Sequence, residues 1–153
     1  MTHVALLGDS VIDNKAYVGD APDVAQQLRL IAPKEWKVSK QAVDGAVVSG
    51  VLRQLSNVPV DATHVVISAG GNDALHYSGV LDAPASSVSD ALLRLAKIQD
   101  EYRAGYSRML DMAQRLRLPT AVLKRQGGGS PLSRSRSSTT RSPAKPLNAA
   151  LTS

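Results

Sequence analysis

The residues Met1-Thr-His-Val-Ala-Leu-Leu-Gly-Asp-Ser10 decide how the rest of the chain is read. Val4 to Leu7 is an apolar run too short for a helix. It meets the turn signal Gly8-Asp9 at once, so it reads as a buried strand that ends abruptly. A serine just past the C-terminal end of a buried strand stands where open α/β sheets gather their reactive groups. Taken alone, Ser10 reads more readily as the cap of a following turn or helix. The later segments decide between the two.

Working outward, Val11 to Gly19 reads as a loop. Asp20 and Pro22 then supply helix-start signals, with Val24, Leu28 and Ile31 on one face and Pro33 as the stop. Trp36 to Val43 alternates loosely as a second strand that ends at Asp44-Gly45. Val48, Val51, Leu52 and Leu55 mark a second helix, closed before Pro59. His64 to Ala69 is a third strand, followed directly by Gly70-Gly71-Asn72-Asp73. Residues 74 to 85 read as irregular. A long amphipathic helix follows, with Val88, Leu92, Leu95, Ile98, Tyr102, Tyr106, Met109, Ala113 and Leu116 at steps of three or four, the face of a helix that packs on a sheet or another helix. Gly105 in its middle costs up to ~1 kcal/mol relative to Ala. Pro119 precedes a fourth strand, Thr120 to Leu123. Strands alternating with helical crossovers predict an α/β fold, a mostly parallel sheet with helices on both faces.

The 153 residues allow one domain, and 43% hydrophobic content is enough to build a core. The absence of cysteine excludes disulfides and thiolate metal sites and fits a reducing, cytoplasmic setting. No stretch resembles a signal peptide or a membrane span. The net charge of +5 is unevenly placed. Residues up to Leu118 hold twelve Lys and Arg against thirteen acids, whereas Pro119 onward holds six against none. The basic character therefore belongs to the tail, which excludes a nucleic-acid-binding reading of the whole chain.

Three of the four strands run into small or polar clusters: Gly8-Asp9-Ser10, Asp44-Gly45 and Gly70-Gly71-Asn72-Asp73. A parallel sheet brings these ends to one edge. There a serine hydroxyl can attack an acyl carbonyl while Ser10 N–H, Gly45 N–H and the Asn72 carboxamide stabilise the oxyanion. In this order, with Gly45 inside VDGAVVSG, the clusters resemble those of the SGNH or GDSL-type hydrolases, over about residues 3 to 123. The resemblance implies a flavodoxin-like three-layer α/β/α fold and hydrolysis of small acyl esters. It makes Ser10 the nucleophile and Gly45 and Asn72 oxyanion donors, with no metal or organic cofactor.

That family ends in an Asp-x-x-His motif whose histidine is the general base, and no such motif occurs here. The histidines are His3, His64 and His76. His3 and His64 fall at strand starts, on the wrong edge. His76 falls on the right edge, in a loop, as the one candidate stand-in. From Lys124 the chain reads KRQGGGSPLSRSRSSTTRSPAKPLNAALTS, without periodicity, acids or aromatics, and is expected to be a disordered tail. Its composition is also that of a GC-rich gene read out of frame, which implies a domain over 1–123 that lacks its last strand and helix and is impaired in catalysis. A different class of function also fits: a non-catalytic module whose basic tail binds nucleic acid or a protein partner. The oligomeric state is not legible in the sequence.

Overall fold

The computed structural model describes residues 1–123, so the tail expected over 124–153 lies outside the described residues. Four strands, β1 (His3–Leu7), β2 (Lys37–Lys40), β3 (His64–Ser68) and β4 (Thr120–Leu123), form one sheet in the order β2-β1-β3-β4. Every pairing is parallel; Val4 lies beside Val38 on one side and His64 on the other. Four α-helices make the crossovers: α1 (Val24–Ile31), α2 (Val48–Leu55), α3 (Gly71–Tyr77) and α4 (Val88–Arg115).

β1 is central, and all five of its residues are buried. Its side chains alternate between two cores, as strand geometry requires. Ala5 and Leu7, with Val65 and Ile67 of β3, meet α2 (Val48, Val51, Leu55) and α4 (Met109, Ala113) on one face. Val4 and Leu6 meet Ile12, Ala25 of α1, Val38 and Ala42 on the other. This is the three-layer α/β/α arrangement expected from the sequence.

The elements differ from the sequence reading at four places. β2 is shorter than Trp36–Val43, although Gln41, Ala42 and Val43 still donate backbone hydrogen bonds to Leu6 and Gly8 alongside β1. Residues 74–85 are not all irregular: α3 occupies Gly71–Tyr77 and a 3-10 turn follows over Ser78–Leu81. No residue of α3 is buried, so it carries no apolar periodicity to detect. The apolar face of α4 packs only in its C-terminal half, from Tyr102 onward. Val88, Leu92 and Leu95 remain 78%, 61% and 42% exposed and are absent from the core cluster that the later residues of α4 join. Ile31 of α1 likewise stays outside the core.

Candidate active site

The turn after β1 is built around two residues. Gly8 takes φ +131°, and a Cβ there would fall on the backbone of Ser68, so only glycine lets the two strand ends approach this closely. Gln54 of α2 holds Gly8 from the other side. Its Oε1 accepts from Gly8 N–H at 2.6 Å and its Nε2 donates to Gly8 C=O at 3.0 Å. Asp9 is buried; its Oδ1 accepts from Ser68 Oγ at 2.8 Å and from Val11 N–H at 3.1 Å. The Asp9 carbonyl accepts from Ile12 N–H and Asp13 N–H, which closes the turn that carries the half-buried Ser10. Asp9 thus joins the Ser10 turn to the end of β3.

The second cluster is tied to the same turn. Asp44 N–H donates to Asp13 Oδ2 at 3.0 Å, and Tyr17 OH donates to Asp44 Oδ2 at 2.7 Å. The Asp44 carboxylate beside it raises the Tyr17 hydroxyl above its ordinary pKa. Gly45 follows at φ +77°, exposed, on the rim of a cavity of about 510 Å³ that Gln41 and Gln54 also line. Beneath this loop Lys40 lies 2.6 Å from Asp13 Oδ1 and 2.9 Å from Asp23 Oδ2. Lys40 is the main cause of the lowered Asp13 pKa. Asp23, which caps α1, is lowered first by the Gln26 N–H it accepts and then by Lys40.

The third cluster forms the first turn of α3 rather than a loop. Gly70, in the left-handed region at φ +109°, leaves room for the Tyr102 hydroxyl where a Cβ would lie. Asn72 Nδ2 donates to Ala46 C=O at 3.0 Å, and the Asp73 carboxylate accepts from Val48 N–H at 3.0 and 3.2 Å. Asp73 therefore caps the N-terminus of α2 from a different element. The structure brings the three clusters to one edge of the sheet. Among the described residues no hydrogen bond joins Ser10 to Gly45, Asn72 or His76.

Sequence reasoning missed Gln54, Ser68 and the capping role of Asp73. Gln54 carried a signal, being a polar residue inside the apolar stripe of α2. Ser68 and Asp73 carried none without the fold.

The histidines divide as their strand positions foretold, with one change. His3 is 2% exposed, with Asp61 Oδ1 3.0 Å from Nδ1 and Ser39 Oγ 2.8 Å from Nε2. This Asp-His-Ser chain stands at the N-terminal edge and ties β1, β2 and the lead-in to β3. His64, also at that edge, has Thr63 Oγ1 2.9 Å from its Nδ1. His76 is exposed on the last turn of α3 and not in a loop. It shares a cavity of about 340 Å³ with Ser49, Asp73, Glu101 and Arg108. Among the described residues no three His, Asp or Glu side chains are grouped to hold a metal ion, and no helix is long and apolar enough to cross a membrane.

No protein-family model and no curated protein sequence matches the chain. Solved structures do match. The extracellular lipase of Streptomyces rimosus aligns with 87% of this chain and 66% of its own at TM-score 0.53 and 22% identity. The lipase Lip_vut3 from a goat rumen metagenome aligns with 81% of this chain and 64% of its own, at TM-score 0.58 and 18% identity. The fold is that of the SGNH hydrolases. Phospholipase A1 of Streptomyces albidoflavus NA297 shares it, at TM-score 0.50 and 21% identity over 79% of this chain and 57% of its own. The chain thus spans less than two thirds of the length of each of these SGNH-fold enzymes.

Proposed function

We propose that the C-terminal edge of the sheet is an acyl-ester hydrolysis site with Ser10 as its nucleophile. The observation that carries this reading is the turn Gly8-Asp9-Ser10, pinned against β3 by the Asp9–Ser68 hydrogen bond in a fold shared with lipases and esterases. Ser10 Oγ attacks the acyl carbonyl, its proton passes to a base, and the carbonyl oxygen becomes an oxyanion. Collapse expels the alcohol, which takes up a proton, and water hydrolyses the acyl-serine by the same route. Ser10 N–H, Gly45 N–H and Asn72 are the donors that meet the oxyanion. One N–H of the Asn72 amide is held by Ala46 C=O, which fixes the side chain and leaves the second for substrate. The substrate is a small acyl ester.

The general base is the weak point. His3 and His64 lie at the opposite edge, and His76 is exposed with no hydrogen-bonded carboxylate to orient it among the described residues. Loss of the base in a serine hydrolase costs up to ~10⁶ in kcat, so turnover by the chain as it stands is expected at background. Chemical rescue tests the site without that group. Wild type, Ser10→Ala and His76→Ala are compared on an activated short-chain ester with and without added imidazole. The expected result is imidazole-dependent turnover in wild type and His76→Ala above that of Ser10→Ala. Equal rates in wild type and Ser10→Ala at every imidazole concentration would overturn the proposal. Turnover without imidazole that disappears in both variants would assign the base to His76.

A further inference from the structure

The buried histidine that the Ser10 site does not use has partners of its own. His3 opens β1, and Thr63 Oγ1 accepts from its N–H at 2.9 Å, which fixes its backbone against the lead-in to β3. On β2, strand alternation puts Lys37 and Ser39 on the same face of the sheet as His3 and Ala5, the residues they pair with. Ser39 Oγ thereby comes to 2.8 Å from His3 Nε2, while Asp61 Oδ1 lies 3.0 Å from Nδ1. Lys37 Nζ, 2.7 Å from Asp61 Oδ2, is the main cause holding the Asp61 carboxyl below its ordinary pKa, so the carboxylate is charged.

That charge decides the tautomer of His3. Nδ1 is buried, and among the described residues no group is aligned to hydrogen-bond it. A bare Nδ1 would set its lone pair against the Asp61 oxygen at 3.0 Å, so the ring proton sits on Nδ1 and turns its positive end to the carboxylate. Nε2 is then the acceptor, and the Ser39 hydroxyl donates to it. A tie between β1 and β2 needs no more than this bond. The carboxylate behind the ring adds stabilisation of the imidazolium that forms when Nε2 takes a proton.

We infer that Ser39 is a second reactive serine, an acceptor of short acyl groups from esters, with His3 as its base and Asp61 as the residue that positions and charges that base. Ser39 Oγ attacks the acyl carbonyl and gives its proton to His3 Nε2. The oxyanion is met by Lys40 N–H, which the ladder turns away from β1. The ester C–O bond breaks, the Oγ–acyl bond remains, and the proton on Nε2 passes to the departing alkoxide, which leaves as the alcohol. Lys37 and Gln41 flank the half-buried Ser39 on its face of the strand and restrict the acyl group to a short one. His3 is 2% exposed, and an acyl group on Ser39 stands between Nε2 and solvent. Water is therefore not activated there, and the acyl-serine accumulates.

Acetylation by para-nitrophenyl acetate tests this on the full chain in a Ser10→Ala background, so that the result is independent of the Ser10 site. The expected result is a stoichiometric burst of nitrophenolate, with the acetyl group placed on Ser39 by peptide mass spectrometry. His3→Gln in that background should slow the acetylation by ~10²–10⁴. Asp61→Asn should slow it by up to ~10⁴, and nitrogen NMR should show the His3 proton moving from Nδ1 to Nε2, which loss of a structural tie alone would not produce. No burst, or acetylation found on Lys37 and other amines but not on Ser39, would overturn the inference. Acetylation of Ser39 at an unchanged rate in folded His3→Gln, in folded Asp61→Asn or in the urea-unfolded chain would overturn it equally. Should a variant fail to fold, the comparison of folded and urea-unfolded Ser10→Ala protein decides alone.

Discussion

Ser68 Oγ, at the end of β3, donates a 2.8 Å hydrogen bond to the buried carboxylate of Asp9 in the turn after β1. It ties the Ser10 turn to β3, as the Lys40–Asp13 pair ties the same turn to β2. Ser68→Ala leaves that oxygen with Val11 N–H alone, and is expected to cost about 1–3 kcal/mol. Urea unfolding at neutral pH measures this; a loss below about 0.5 kcal/mol would show that the turn is held by other contacts.

Gly8→Ala tests the close approach of β1 and β3. Alanine at φ +131° is strained, and its Cβ meets the Ser68 backbone, which cannot rotate away. The expected loss is at least about 2 kcal/mol, together with loss of any Ser10-dependent rescue by imidazole. Crystals or spectra showing a native-like Gly8→Ala protein of unchanged stability would refute this account of the turn.

Acid stability depends on Lys40. Asp13 and Asp23 have folded-state pKa values below the ordinary 3.8, Asp13 chiefly through Lys40 and Asp23 first through the Gln26 N–H and then through Lys40. Depressed carboxylate values add stability above the unfolded pKa and lose it as pH falls through the folded values. Lys40→Met removes the cation, so both values rise and the acid-unfolding midpoint should move to higher pH. An unchanged midpoint, read by circular dichroism from pH 7 to pH 2, would separate this ion pair from stability.

Asn72→Ala should lower the imidazole-rescued rate by ~10²–10³ if its free N–H meets the oxyanion. A fall of less than about threefold would leave Asn72 with only its bond to Ala46.

The reading of the tail is tested on the gene. Another frame downstream of codon 123 is expected to encode a helix, a strand and an Asp-x-x-His motif. Stop codons throughout both other frames would remove the idea.

Much of the scaffold was legible because it is written in periodicity. The unbroken apolar run of β1 and the apolar stripe of α2 correspond to residues whose neighbours in sequence are also neighbours in the core. α3 was not legible, because a helix that buries nothing leaves no stripe. The first half of α4 misled for the opposite reason: Val88, Leu92 and Leu95 have the right spacing but no surface to meet. At the site, the motif residues were visible as types, whereas Gln54 and Ser68 act across the fold at separations of 46 and 59 residues. Only the tertiary arrangement gives such partners meaning.

The central place of β1 has a consequence in time. His3–Leu7 is synthesised well before its partner β3, which ends at Ser68. At ordinary rates of synthesis the two are separated by roughly 3–12 s. For that interval five residues that the finished protein buries have at most β2 beside them and lack the β3 side of their core. The strand that anchors the mature fold therefore waits for half of its core, and its apolar run is a segment that a nascent-chain chaperone would have reason to shield.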